Sequence, residues 1–215
     1  MADDEHAQST LGKKPGAENG VNLDAATAYE LYAREFLRQR DASNIGAEVI
    51  GEWATCLHRG ASVLEVACGG GEPITRELQR KNLKLWAIDS AKTLVTAFQQ
   101  RFPDIPIRCE RFQDSDFFGQ RFDAAVAVGL IFLLAEDEQK ILLQKMSSAL
   151  KPHGHLLFSA PSQVASWRDL STGIDSLSLG HQAYVSLLKE AGMRLLCTYQ
   201  DRGGNHYYAA QKIGA

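Results

Sequence analysis

Residues 63–73 read Val-Leu-Glu-Val-Ala-Cys-Gly-Gly-Gly-Glu-Pro and constrain the fold more than any other stretch. A short apolar strand, interrupted by Glu65, runs into three consecutive glycines and stops at Pro73, which suits the first turn of a helix. Glycine lets the backbone turn sharply and lets a ligand approach main-chain N–H groups at a helix start. Strand, glycine loop and helix together make a nucleotide-binding corner.

The flanking pattern extends that corner into a sheet. Apolar runs predict strands at 62–66, 84–88, 107–109, 122–128 and 155–159, with helices at 73–80, 91–101 and 136–150 between them. Such alternation implies a parallel sheet whose right-handed crossovers place helices on both faces. The C-terminal part departs from it: a helix at 181–191, a strand at 194–200, a turn at 201–205 and a strand at 206–211 form a hairpin. The last strand must therefore run antiparallel to its neighbour. Upstream, periodicity predicts a helix over 24–40 with Asp24 as N-cap and a second over 44–58, closed by Gly60. Residues 1–22 show no apolar periodicity and read as a flexible tail. With 215 residues, 45% of them hydrophobic, the expectation is a single domain over 23–215 whose helical cap occupies 23–58.

Composition removes several classes of partner. A net charge of −3 gives no electrostatic reason to expect nucleic acid. The longest apolar run, 124–135, is too short to span a bilayer, and the acidic start lacks the apolar core of a signal peptide. Cys56, Cys68, Cys109 and Cys197 are dispersed without a C-x-x-C pair, so reduced thiols in a cytoplasmic protein, without a metal site, are expected.

The glycine loop itself discriminates between nucleotides. A dinucleotide fingerprint needs a third glycine where this chain has Ile74, and a Walker loop needs Lys-Ser/Thr after the glycines, which is absent. What the stretch resembles is the E/D-x-G-x-G-x-G loop of class I S-adenosylmethionine-dependent methyltransferases. It runs here from Glu65 through Ala67, Cys68 and Gly69 to Gly71, with Ala67 in place of the first glycine. Asp89 ends the second strand roughly 20 residues further on, where doubly wound folds place a carboxylate for ribose hydroxyls. Asp89 equally suits a cap for the helix beginning near Ser90. The stretch 150–155 is similar to the family's "LKPGG" turn, with His153 replacing a glycine, and residues 29–36 look like the "YDxxAxxY" helix of its type-11-like small-molecule branch.

The resemblance implies a Rossmann-like seven-strand sheet of order 3-2-1-4-5-7-6, binding S-adenosyl-L-methionine and releasing S-adenosyl-L-homocysteine. It implies that Glu65 and the backbone at Ala67, Cys68, Gly69 and Gly71 hold the methionine part, and that Asp89 and Ser90 hold the ribose. Glu110, Arg111 and Phe112 would flank the adenine, with Asp114 and Asp116 as rivals; Gly129 and Leu130 would face the methyl, and Tyr29 would fold over the cofactor.

Methyl transfer is an in-line displacement that mainly needs positioning and exclusion of water. A base is required only when the acceptor keeps a proton. Ligands of open α/β sheets bind beyond the carboxyl ends of the strands, which places His58, His153 and His155 on the wrong face. His206, in the ligand-side hairpin with Asn205 beside it, is then the histidine best placed for a base. The connection over 160–180 is long enough to be functional. Trp167 within it, with Phe132, Tyr32 and Phe36, would wall an acceptor pocket. No Asn/Asp-Pro-Pro-Tyr/Phe motif follows strand four, and no basic patch with interleaved aromatics occurs, so the expected acceptor is a small molecule.

Overall fold

The computed structural model describes residues 24–169 and 172–214; the expected tail at 1–22 lies outside the described residues. Helices α1 (Ala25–Leu31), α2 (Ala33–Asp41) and α3 (Ala47–Trp53) come first. They are followed by β1 (Ser62–Val66), α4 (Ile74–Arg80), β2 (Lys84–Asp89), α5 (Lys92–Arg101), β3 (Ile107–Cys109) and β4 (Phe122–Ala127). The rest comprises α6 (Glu136–Ala149), β5 (Leu150–Ser159), β6 (Val164–Arg168), β7 (Asp175–Leu179), α7 (His181–Glu190), β8 (Met193–Gln200) and β9 (His206–Lys212).

Seven strands make one sheet in the order β3-β2-β1-β4-β5-β9-β8. Strands β1 to β5 pair in parallel, and β9 runs antiparallel to both β5 and β8. This is the expected order 3-2-1-4-5-7-6 once one further hairpin, β6–β7, is counted. The sequence reading expects only a connection there. Most of β6 is exposed, with Val164 at 77%, so it lacks the apolar alternation that reveals a half-buried strand.

Central strands are covered on both faces, and consecutive residues therefore serve different cores. Leu64 and Phe158 pack with Leu142, Met146, Tyr184 and Leu188 of α6 and α7, whereas Val63, Val126 and Leu157 pack with Ile50, Trp53 and Leu78 of α3 and α4. Buried Gln139 of α6 donates to the Leu134 and Leu177 carbonyls at 3.0 and 2.9 Å and accepts the Tyr184 hydroxyl at 2.9 Å. That amide ties the hairpin to the body of the fold.

The single helix expected over 24–40 is broken at Tyr32, whose φ of −100° and ψ of 10° leave the helical region. Each piece is anchored separately on α5. Glu30 accepts the Thr93 N–H and O–H at 2.9 and 2.6 Å, and both Asp41 oxygens meet Arg101 at 2.7 Å. The helix expected over 44–58 shortens to α3 and a 3-10 turn, Ala54–Cys56. Asp24 does cap α1, its Oδ1 accepting the Thr27 N–H at 2.8 Å.

Candidate active site

The loops leaving β1, β2, β3 and β4 at their carboxyl ends wall a groove. Directly after β1 the chain turns at Ala67, whose φ of 58° lies in the left-handed region that a Cβ disfavours. That is a conformation glycine adopts readily. Left-handed backbone costs an L-residue about 1–2 kcal/mol, and glycine's extra freedom in the unfolded chain offsets part of that. An Ala67→Gly variant is thus expected to gain about 0.5–1 kcal/mol, read as a higher denaturation midpoint at unchanged slope.

Gly69, at the same φ of 58°, donates its N–H to Asp89 Oδ2 at 2.8 Å, and the Ala91 N–H donates to Oδ1 at 2.9 Å. Asp89 therefore fastens the glycine loop to the turn before α5, and each oxygen retains a further lone pair. Three side chains press on the glycines. A Cβ at Gly69 would meet Phe36 at 3.0 Å, one at Gly70 would meet Leu37 at 2.3 Å, and one at Gly71 would meet Phe102 at 2.2 Å. Gly71, expected to touch the cofactor, lines neither groove cavity; its missing side chain makes room for Phe102 instead.

The groove divides into two connected cavities of about 390 and 220 Å³ that share Ala67, Asp89, Ser90 and Leu130. Glu110, Arg111 and Phe112 line the first, whereas Asp114 and Asp116 do not; Asp116 pairs with Arg108 at 2.6 Å instead. Tyr29, Phe36, Glu65, Cys68, Gly69 and Gly129 line the second. A side cavity of about 430 Å³ carries Trp167 and His206 and shares Phe132, Ser159, Asp169 and Asn205 with the second. Tyr32, expected at the acceptor, sits at the joint between α1 and α2 and lines none of the three.

Electrostatics differ along the groove. Glu65, 3% exposed, accepts the Thr75 hydroxyl at 2.6 Å, and burial pushes its pKa up to about 8 despite that bond. Burial also raises the Asp89 carboxyl above its ordinary range and the Tyr29 phenol well above its own. Arg40 lines the same cavity; burial lowers its pKa, opposed by Tyr207, Asp201, Tyr29 and Glu65. For Glu65, the folded pKa of about 8 lies above the ordinary 4.5, so the folded protein holds a proton that the unfolded chain releases. Its contribution to stability is full below pH 4.5 and is lost as pH rises through about 8. Denaturation of the cofactor-free protein across that window is expected to show the decline, and Glu65→Gln to flatten it.

The β8–β9 turn is organised by Asp201. It accepts the Tyr207 hydroxyl at 2.7 Å, the Gly203 and Asn205 N–H groups, and the Asn205 side-chain amide at 3.0 Å. Asn205 reaches both cavities, yet its amide nitrogen is committed to this turn. His206 stands on the ligand side as expected, and burial, then His181, lower its pKa, which keeps the ring neutral at pH 7. Its Nε2, however, is buried and finds no partner among the described residues.

Several lining residues escape the sequence reading. Asp24, read only as a cap, also meets Arg111 at 2.5 Å; the Thr27 hydrogen bonds, and after them that from Arg111, lower its pKa to about 2. Arg40 reads from sequence either as an exposed charged helix end, the favoured reading, or as a contact for an anionic acceptor; its i,i+4 spacing from Phe36 places both on one face, and both line the second cavity. Ser166 and residues 174–177 of the hairpin wall the first cavity, a contribution that depends on the unrecognised strands.

Comparison with known proteins follows this geometry. Residues 63–154 match the family model described as "Methyltransferase domain". No curated protein sequence matches the chain. Among solved structures, the 1,6-didemethyltoxoflavin-N1-methyltransferase of Burkholderia thailandensis is similar, with a TM-score of 0.68 at 16% identity, over 94% of this chain and 98% of that one. The [4+2]-cyclase SpnF gives 0.71 at 13% over 90% and 98%. A TehB-like methyltransferase of Corynebacterium glutamicum gives 0.66 at 18% over 86% and 98%. At these identities the likeness is one of fold.

Proposed function

We propose that the chain is a class I S-adenosylmethionine-dependent methyltransferase, as the match of residues 63–154 to a methyltransferase domain supports, and that it methylates a small molecule held in the side cavity beside the donor groove. When bound, S-adenosylmethionine supplies an activated methyl group. The donor set suits it: Glu65 and Asp89 offer carboxylates to a cationic ligand, and Arg40 offers the cavity a guanidinium for the amino-acid carboxylate. Asp89 has lone pairs left for the ribose hydroxyls, and Glu110, Arg111 and Phe112 would flank the adenine in the first cavity. Ser90, Gly129 and Leu130 would border the ligand between them, and Tyr29 and Phe36 would close it off from the cap.

The observation that carries the acceptor reading is the side cavity itself. Its size, about 430 Å³, falls within the range of small-molecule sites, and it joins the donor groove through residues common to both. Phe132 and Trp167 supply its apolar wall, their ring centroids 5.5 Å apart. His206 contributes to the wall with its Nε2 enclosed, so a role as base would fall to Nδ1. The relevant experiment is a broad screen of small metabolites with S-adenosylhomocysteine formation as readout. Turnover on at least one compound is expected, and it should fall when Trp167→Ala opens the cavity wall. A protein that binds the donor yet transfers to none, while methylating a protein or nucleic acid substrate, contradicts the reading.

A further inference from the structure

We propose that the β6–β7 hairpin is the partition between donor and acceptor. The adenosine end of the donor packs on one face of it and thereby fixes Trp167 on the other, so that the acceptor site is completed only in the donor complex. The inference deepens the reading above and rests on its donor groove and side cavity.

Strand geometry places the two ligands on opposite faces, because consecutive residues of a strand point to opposite sides. Ser166 and its cross-strand partner Leu177 share one side and line the first cavity, as does Asp175, the partner of Arg168. Trp167 points the other way; it lines the side cavity and neither part of the donor groove. The two sides meet at Ser176, which pairs with Trp167 across the hairpin and also lines the first cavity. Ser176 is 2% exposed, and its hydroxyl has no partner among the described residues. A buried hydroxyl left unpaired is costly, and the polar edge of an adenine in that cavity can relieve it.

The fold holds this hairpin lightly. Two paired strands are marginal by themselves in water. Hydrogen bonds from the body reach β7: the Leu177 carbonyl accepts from Gln139 at 2.9 Å, the Ser178 hydroxyl donates to the Pro161 carbonyl at 2.8 Å, and the Leu179 N–H donates to the Tyr184 hydroxyl at 3.2 Å. Strand β6 takes its position from its pairing with β7 and from the ring contact between Trp167 and Phe132, while Val164, Ala165, Ser166 and Arg168 are exposed. Segments with so little burial open most easily. A ligand against Ser166 and Leu177 therefore has something to order, and the ordered strand carries Trp167. By linkage the effect is reciprocal: an acceptor against Trp167 tightens donor binding by the same factor.

Trp167 supplies its own readout. Acrylamide quenching of tryptophan emission is measured on the full chain with and without S-adenosylhomocysteine, at saturation established by calorimetry. The difference between the parent and Trp167→Phe isolates Trp167 from Trp53 and Trp86. The quenching constant of Trp167 is expected to fall about twofold in the complex. Leu177→Ala, which removes a side chain facing the adenosine and leaves Trp167 in place, should still bind S-adenosylhomocysteine yet show about half of that fall or less. An unchanged quenching constant in the saturated parent overturns the proposal, whether or not the variant folds. So does a full fall in saturated Leu177→Ala, since the protection would then reach Trp167 by another route. No heat from S-adenosylhomocysteine with the parent would instead strike the donor reading, and this inference with it.

Discussion

A Gly71→Ala variant is expected to lose about 2–4 kcal/mol of folding stability, more than any other single methyl added to the glycine loop, by the combined cost of left-handed backbone and overpacking. The added Cβ would sit 2.2 Å from Phe102 Cε2 and 2.9 Å from Cδ2, on a backbone whose φ is 87°. Phe102 cannot swing away cheaply. It is buried, its ring lies beneath the Arg76 guanidinium at 4.5 Å, and Phe98 packs beside it at 5.0 Å. Chemical denaturation measures the loss directly. A second change, Phe102→Leu, should recover part of it, since contacting residues are not additive. If Gly71→Ala were as stable as the parent, the loop would not be shaped by packing from α5.

Asp89→Ala is expected to reduce S-adenosylhomocysteine affinity by about a hundredfold or more, since hydrogen bonds to a charged group contribute roughly 1.5–3 kcal/mol each. Two losses combine. The carboxylate no longer meets the ligand, and the Gly69 and Ala91 N–H groups lose their acceptor, which releases the loop that shapes the groove. The effect on stability should be smaller than the effect on binding. Burial raises the Asp89 pKa, so removing the charge recovers some of its desolvation cost. Asp89→Asn, which keeps one oxygen as an acceptor, should fall between parent and alanine. An Asp89→Ala protein that bound within threefold of the parent would remove this residue from the site and leave it only its loop-fastening bonds.

These two residues also mark how far the sequence can be read. Around Asp89 everything relevant is local or nearly so: a strand end, a glycine loop, and a spacing set by one βαβ unit. The antiparallel β9 follows from the hairpin pattern, whereas the sheet order and the position of Glu110 to Phe112 follow from the family resemblance. What escapes is what depends on tertiary approach. Nothing local tells that Phe102 occupies the space over Gly71, or that Tyr32 breaks a periodic helix because its two halves dock on α5 at Glu30 and Asp41. The hairpin is hidden for a different reason: β6 is mostly exposed and the buried positions of β7 are the serines Ser176 and Ser178, so no apolar alternation marks either strand. Asp169 and Ser166 reach the cavities only through that hairpin region, and Arg40 only because α2 is laid across the groove. His206 shows the opposite case. Topology put it on the ligand side, but which ring nitrogen is enclosed depends on side-chain orientation, which no strand count can give.

The central claim is that the groove beyond β1, β2, β3 and β4 is built for S-adenosylmethionine and not for a dinucleotide. Isothermal calorimetry of the parent protein with S-adenosylhomocysteine and with NAD tests it most directly. Saturable one-to-one binding of S-adenosylhomocysteine, with proton release as Glu65 ionises against the ligand's ammonium and no heat from NAD, is the expected result. Saturable NAD binding, or a folded protein that gives no heat with S-adenosylhomocysteine, would contradict it.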